Sequence, residues 1–231
     1  MTESASLLLV AHGSTRYPDS AQGLYRIAET LRPRFAHVDV AFWRQEPVLS
    51  KAHLRDGQVY VVPYFAGLGK HTEQLIPERL GLPGKADVTY CPPVGCHPSL
   101  PGLIHRRALA ATGDPAETTL LLIGHGSREG GANRTPEAIA ATLRTLGGFA
   151  EVVTAYLEQA PFAADWRTLA RSPKAVAQPL LLSAGMHASD DLPPLFAGSD
   201  AVLLQGIGSE EEIAAMILDQ IGARWPERVG P

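Results

Sequence analysis

Four histidines occur in two matched settings, and imidazole can both ligate a divalent transition metal and take up a proton near neutral pH. His12 follows an apolar run in Leu-Leu-Leu-Val-Ala-His-Gly-Ser at 7–14, and His125 does the same in Leu-Leu-Leu-Ile-Gly-His-Gly-Ser at 120–127. His71 ends the stretch that begins Pro63-Tyr-Phe-Ala-Gly, and His187 ends the one that begins Pro179-Leu-Leu-Leu-Ser. A carboxylate joins them on one side only: Glu158 stands in Ala-Tyr-Leu-Glu, where the matching Ala-Phe-Trp-Arg carries Arg44. Two imidazoles and a carboxylate form a ligand set used by zinc and non-haem iron, while an arginine repels a cation and attracts a carboxylate. No His-Glu-x-x-His spacing is present to fix which metal.

These matches are part of a duplication. His12 and His125 are 113 positions apart, Pro47 and Pro161 114, His71 and His187 116, and Gly95 and Gly208 113. Landmarks in one order at one offset imply two homologous halves, and a period this long means two domains and not a solenoid. The expected division is residues 1–112 and 119–231, with Ala-Thr-Gly-Asp-Pro-Ala-Glu-Thr at 111–118 as linker.

Each half alternates short apolar runs with amphipathic stretches. Strands are expected at 6–11, 38–42, 58–64 and 87–90, then at 119–123, 151–156, 175–182 and 201–204. Helices are expected at 19–34, 48–55, 72–80 and 98–111, then at 136–146, 163–170, 190–197 and 210–221. Thr72 and Ser189 are placed to cap helices, and Ser209 with Glu212 reads as a capping box. The fold class is therefore α/β, with a parallel sheet in each half and helices on both faces. In such sheets ligands bind beyond the carboxyl ends of the strands, where all four histidines fall.

Composition narrows the partners. The 231 residues carry 20 Lys and Arg against 24 Asp and Glu, a formal net charge of −4, so there is no basic excess for nucleic acid or an anionic membrane surface. Hydrophobic residues at 45% supply a core, but the longest apolar runs are strand-sized. The amino terminus reads as lacking a secretory leader, which makes the cytoplasm the expected compartment. Cys91, Cys96 and His97 lack a second ligand pair at structural-zinc spacing, so the two cysteines read as buried thiols. The Gly126–Gly131 stretch lacks a nucleotide-binding pattern. A histidine phosphatase would need Arg directly before His-Gly, where Ala11 and Gly124 stand instead. His37, His53 and His105 show no partner pattern.

Taken together, the two His-Gly-Ser turns, the strand ending in Leu-Glu near a Pro, Gly-x-His after a Val-Val-Pro strand, and Pro-Pro-x-Gly-x-His-Pro at 92–98 resemble the CbiX-type sirohydrochlorin chelatases. The resemblance covers essentially the whole chain. It implies two similar α/β domains across a cleft and insertion of Co2+ or Fe2+ into sirohydrochlorin, on the route to cobalamin or sirohaem. It further implies His12, His71, His125, Glu158 and His187 as metal-binding and catalytic residues. Glu158 inclines that reading toward the second-half set, with His12 and His71 facing it or forming a second site. Arg16, Arg44, Lys70, Arg128, Ser14 and Ser127 are candidates to hold the carboxylate-rich macrocycle. The metal is then a substrate, no permanent cofactor is required, and a monomer or a homo-oligomer is equally compatible. A tetrapyrrole or metal carrier on the same scaffold is the alternative from a different functional class.

Overall fold

In the computed structural model the described residues are 4–127, 134–182, 190–207 and 211–222. The first half runs β1 (Ser6–Ala11), α1 (Gln22–Leu31), β2 (His37–Phe42), β3 (Val59–Pro63), α2 (Ile76–Leu80), β4 (Val88–Tyr90) and α3 (Leu100–Ala110). The second runs β5 (Thr118–Gly124), α4 (Arg134–Leu146), β6 (Glu151–Tyr156), α5 (Trp166–Leu169), β7 (Lys174–Pro179), α6 (Leu192–Phe196), β8 (Val202–Leu203) and α7 (Glu211–Gly222). Each half holds one four-stranded parallel sheet, ordered β2-β1-β3-β4 and β6-β5-β7-β8.

The central strands are buried on both faces, as their unbroken Leu and Val runs require. Side chains alternate across the pleat. Leu7 and Leu9 of β1, with Leu120 and Leu122 of β5, point into one shared core. Leu8 and Val10 face α2, while Leu121 and Ile123 face Trp166 of α5 and Phe196 of α6. The shared core also takes Leu24, Ile27 and Leu31 of α1, Leu103 and Ile104 of α3, Ile139 and Leu143 of α4, and Ile213 and Ile217 of α7. α1 packs on α7 and α3 on α4, so the inner helices of the two halves form a common layer between the sheets. The linker contributes one helical turn, Pro115–Glu117, before β5 starts.

Three expectations change. The helix expected at 48–55 is one turn, Lys51–His53. Phe42 N–H donates to Pro47 O and Leu49 N–H to Phe42 O, which keeps the chain non-helical through Leu49, and Asp56-Gly57 ends the segment soon afterwards. Thr72 is not a cap. It is buried, and its hydroxyl accepts from Gly69 N–H at 3.0 Å, tying the loop before the helix to itself. Cys91 is buried, as expected, and burial pushes its thiol up to about 12; Cys96 is only partly buried, with Sγ 3.7 Å from Thr135 Oγ1. Ser189 and Ser209 lie outside the described residues.

Candidate metal and tetrapyrrole site

The same local device presents both His-Gly-Ser histidines. Each strand leads into a glycine with positive φ, +69° at Gly13 and +77° at Gly126. The loop after the neighbouring strand closes over each turn. A Cβ on Gly13 would lie 2.7 Å from Gln45 Cβ and 2.8 Å from Phe42 Cβ, and one on Gly126 would lie 2.8 Å from Gln159 Cγ. Only glycine suits both the backbone angle and the space. Gln45 Oε1 accepts from Ser14 N–H at 3.0 Å, and Gln159 Oε1 from Ser127 N–H at 2.9 Å. Arg44 N–H donates to His12 O at 2.8 Å, and Glu158 N–H to His125 O at 2.9 Å. The residue that differs in charge between the halves is thus bonded through its backbone to the histidine it flanks.

The turn also sets the tautomer. His12 Nδ1 lies 2.9 Å from Gly13 O, and His125 Nδ1 lies 2.9 Å from Gly126 O. A carbonyl oxygen only accepts, so Nδ1 carries the proton and Nε2 carries the lone pair that can bind a metal. Both rings belong to exposed residues at the carboxyl ends of central strands.

His71 arrives from the loop after β3. It opens a π-type turn, His71–Leu75, which runs into α2. Tyr90 Oη donates to Thr72 O at 2.7 Å and Glu73 N–H to Gly69 O at 2.8 Å, pinning both sides of the turn. His71 and His12 meet edge to face with ring centroids 5.3 Å apart. Trp43 meets His71 edge-on at 5.4 Å, Phe65 stacks on it at 6.1 Å, and the Arg79 guanidinium lies over the Trp43 ring at 3.5 Å. His71 is half-buried. Burial first, and then the His12, Arg44 and Lys70 charges, hold its imidazolium below the usual histidine range, so the ring is neutral at neutral pH with a lone pair to offer.

The strand-end loops of the two halves touch around this site in a reciprocal pattern. Leu68 N–H, after β3, donates to Thr135 Oγ1 at 3.2 Å, and Arg134 bonds Glu73 at 2.7 Å. On the other side Tyr17, after β1, donates to the Asp190 carboxylate, which precedes α6. Arg16, Arg44 and Lys70 are exposed, and Ser14 Oγ accepts from Tyr17 N–H at 3.1 Å. Glu158 and Ser127 are partly exposed beside His125. His187 and Arg128 lie outside the described residues, so the structure brings together the first-half pair of histidines, with His125 and Glu158 at the equivalent turn of the second half. Among the described residues no three His, Cys, Asp or Glu side chains converge as a metal site.

Sequence reasoning missed the aromatic walls, Trp43 and Phe65, and the Arg79 cation behind them. A signal for them existed: the duplicated motifs differ there, Trp43 against Leu157 and Phe65 against Leu181. Three further histidines make structural contacts. His53 bonds Ser50, His105 bonds Gly147 O at 2.8 Å, and buried His97 meets Asp219 at 3.2 Å.

The described histidines of the two His-Gly-Ser turns stand at the carboxyl ends of central strands in a duplicated parallel α/β scaffold, where such sheets bind ligands. The chain belongs to the CbiX family, whose model matches residues 6–111 and again 119–223. It is 31% identical over 221 residues, 81% of this chain and 75% of the relative, to a probable sirohydrochlorin cobaltochelatase of Halobacterium salinarum. Among solved structures it matches a multi-domain, chelatase-like protein of Deinococcus radiodurans at 27% identity and a TM-score of 0.78, over 97% of this chain and 56% of that one. It also matches CbiX, the terminal enzyme of sirohaem biosynthesis in denitrifying bacteria, at 27% identity and a TM-score of 0.72, over 95% and 99% of the two chains. SirB of Bacillus subtilis, solved with Fe3+, shares the fold with a TM-score of 0.76 at 20% identity, over 95% and 94%. Among the described residues no helix is long and apolar enough to cross a membrane.

Proposed function

We propose that this chain inserts a divalent metal, Co2+ or Fe2+, into sirohydrochlorin, and that His12 and His71 hold the ion and assist deprotonation of the macrocycle. The observation that carries this reading is the His12–His71 pair, 5.3 Å apart at adjacent strand ends in a chain of the CbiX family. The Halobacterium relative, the denitrifier enzyme and the metal-bound SirB structures support the substrate class. This reading takes the first-half pair in place of the second-half set toward which Glu158 inclined the sequence reading, a set whose His187 lies outside the described residues.

The chemistry follows from two loosely held ligands. A closed four-ligand cage would retain the ion, whereas two imidazoles leave coordination positions for water that pyrrole nitrogens can displace. His12 offers Nε2 because Gly13 O holds its Nδ1 proton, and His71 is neutral because its surroundings disfavour the charged ring. As the ion transfers, two pyrrole N–H protons must leave, and each released imidazole can accept one at the nitrogen that held the metal. The metal enters as substrate and no resident cofactor takes part. The partners are the tetrapyrrole and the ion, without nucleic acid or membrane, and the cytoplasm belongs to the same proposal.

Mixing the purified chain with Co2+ and excess sirohydrochlorin and following the macrocycle's absorbance tests this. Many equivalents of metallated product per chain are expected. A stoichiometric spectral shift without turnover would make the chain a carrier and contradict the proposal.

A further inference from the structure

Two cations flank the first-half histidine pair. Arg44 is backbone-bonded to His12 and follows Trp43, whose ring contacts His71; Lys70 directly precedes His71. Both are exposed, and among the described residues neither is matched by a carboxylate in an ion pair. Their counterparts in the duplicated half are Glu158 and Met186. At these two positions the first half carries positive charge where the sequence of the second has a carboxylate and a thioether.

We infer that Arg44 and Lys70 make metal binding depend on the macrocycle: they weaken the hold of His12 and His71 on a free divalent cation and are neutralised when a polycarboxylate tetrapyrrole docks. This rests on the functional reading above and adds an order to it, with the anionic substrate raising the site's affinity for the cation. The physics is Coulombic. A dication beside two monocations without ion-pair partners among the described residues is repelled, while carboxylates placed between them reverse the sign of the local field. Among the described residues no carboxylate joins the two imidazoles to compensate that field. The arrangement also keeps a chain that meets metal without macrocycle from retaining it.

The test is Co2+ titration of the full chain without tetrapyrrole, read by equilibrium dialysis, for the natural protein, Arg44→Gln, Lys70→Met and the double variant. Removing each charge is expected to tighten Co2+ binding on the order of three- to tenfold, and the gain should shrink in high salt because exposed charges are screened. The same variants should raise KM for sirohydrochlorin with a smaller change in kcat. Unchanged or weaker Co2+ binding in the double variant, with the fold intact by circular dichroism, overturns the inference. His12→Ala combined with His71→Ala separates the two layers. Co2+ binding that survives it places the ion elsewhere and overturns the functional reading, whereas its loss together with unaltered affinity in the charge variants overturns the charge coupling alone.

Discussion

The two His-Gly-Ser turns share a backbone device and differ in what surrounds it. Both use a positive-φ glycine, a glutamine bonded to the serine amide, and a flanking residue bonded to the histidine carbonyl at 2.8 or 2.9 Å. Around His71 the first half places Trp43, Phe65 and two cations, where the matching sequence positions of the second half are Leu157, Leu181, Glu158 and Met186; His187, the match of His71, lies outside the described residues. The comparison teaches that the turn only presents a histidine at the rim. The proposal that the first rim holds the metal therefore rests on residues around that turn, at positions where the two copies differ.

The largest expected effect comes from the histidines themselves. His71→Ala should lower kcat/KM for cobalt insertion at least 100-fold, while His125→Ala should cost less than tenfold; steady-state absorbance kinetics at saturating Co2+ read both. Equal losses would break the contrast between the halves. Next come the glycines, which separate fold from function. Gly13→Ala and Gly126→Ala each force a Cβ against a packed neighbour at 2.7–2.8 Å and a side chain into left-handed backbone. Each should destabilise the chain by about 1–3 kcal/mol in urea unfolding, but at a temperature where both variants are folded only Gly13→Ala should impair turnover strongly.

A smaller effect is expected at Trp43. Replacing it by leucine, the residue at the matching position, removes the edge contact to His71 and the surface beneath Arg79. A three- to tenfold fall in kcat with thermal stability nearly unchanged is expected; a fall in stability alone would reduce Trp43 to packing.

The smallest effect concerns the ion pair of Asp39 on β2, whose position in the second half carries no carboxylate. Arg55 bonds Asp39 at 2.6 Å, and that hydrogen bond, ahead of the guanidinium's charge, holds the Asp39 carboxyl below its ordinary value. The counterpart of Asp39 in the second half is Val153. Because the carboxyl's folded pKa is depressed, the pair contributes above its unfolded value, near 3.9. That contribution declines as the pH falls through the folded pKa. Asp39→Asn should therefore be less stable by under about 1 kcal/mol at pH 7, the pair being partly solvated. It should match the natural chain in urea unfolding once the pH lies below both values.

Much of this was legible in the sequence, because duplication supplied the comparison that a single chain otherwise lacks. Parallel α/β halves, strand ends as the address of the histidines, and the Arg44–Glu158 difference all follow from aligning one half with the other. The aromatic walls were harder to see. Trp43 and Phe65 sit among apolar strand-end residues whose sequence pattern is the same whether a ring lines a site or fills a core. The short turn at Lys51–His53 looked like a helix because apolar spacing is visible in sequence, whereas the hydrogen bonds among Phe42, Pro47 and Leu49 that forbid helix there are tertiary. The shared core of inner helices was likewise not visible, since amphipathic periodicity shows that a helix buries one face but not against what.

Anomalous scattering from a crystal soaked in Co2+ tests the central claim most directly. The peak is expected within bonding distance of His12 Nε2 and a nitrogen of the His71 ring. A cobalt peak on His125 and Glu158 instead, with the first-half imidazoles bare, would contradict the account.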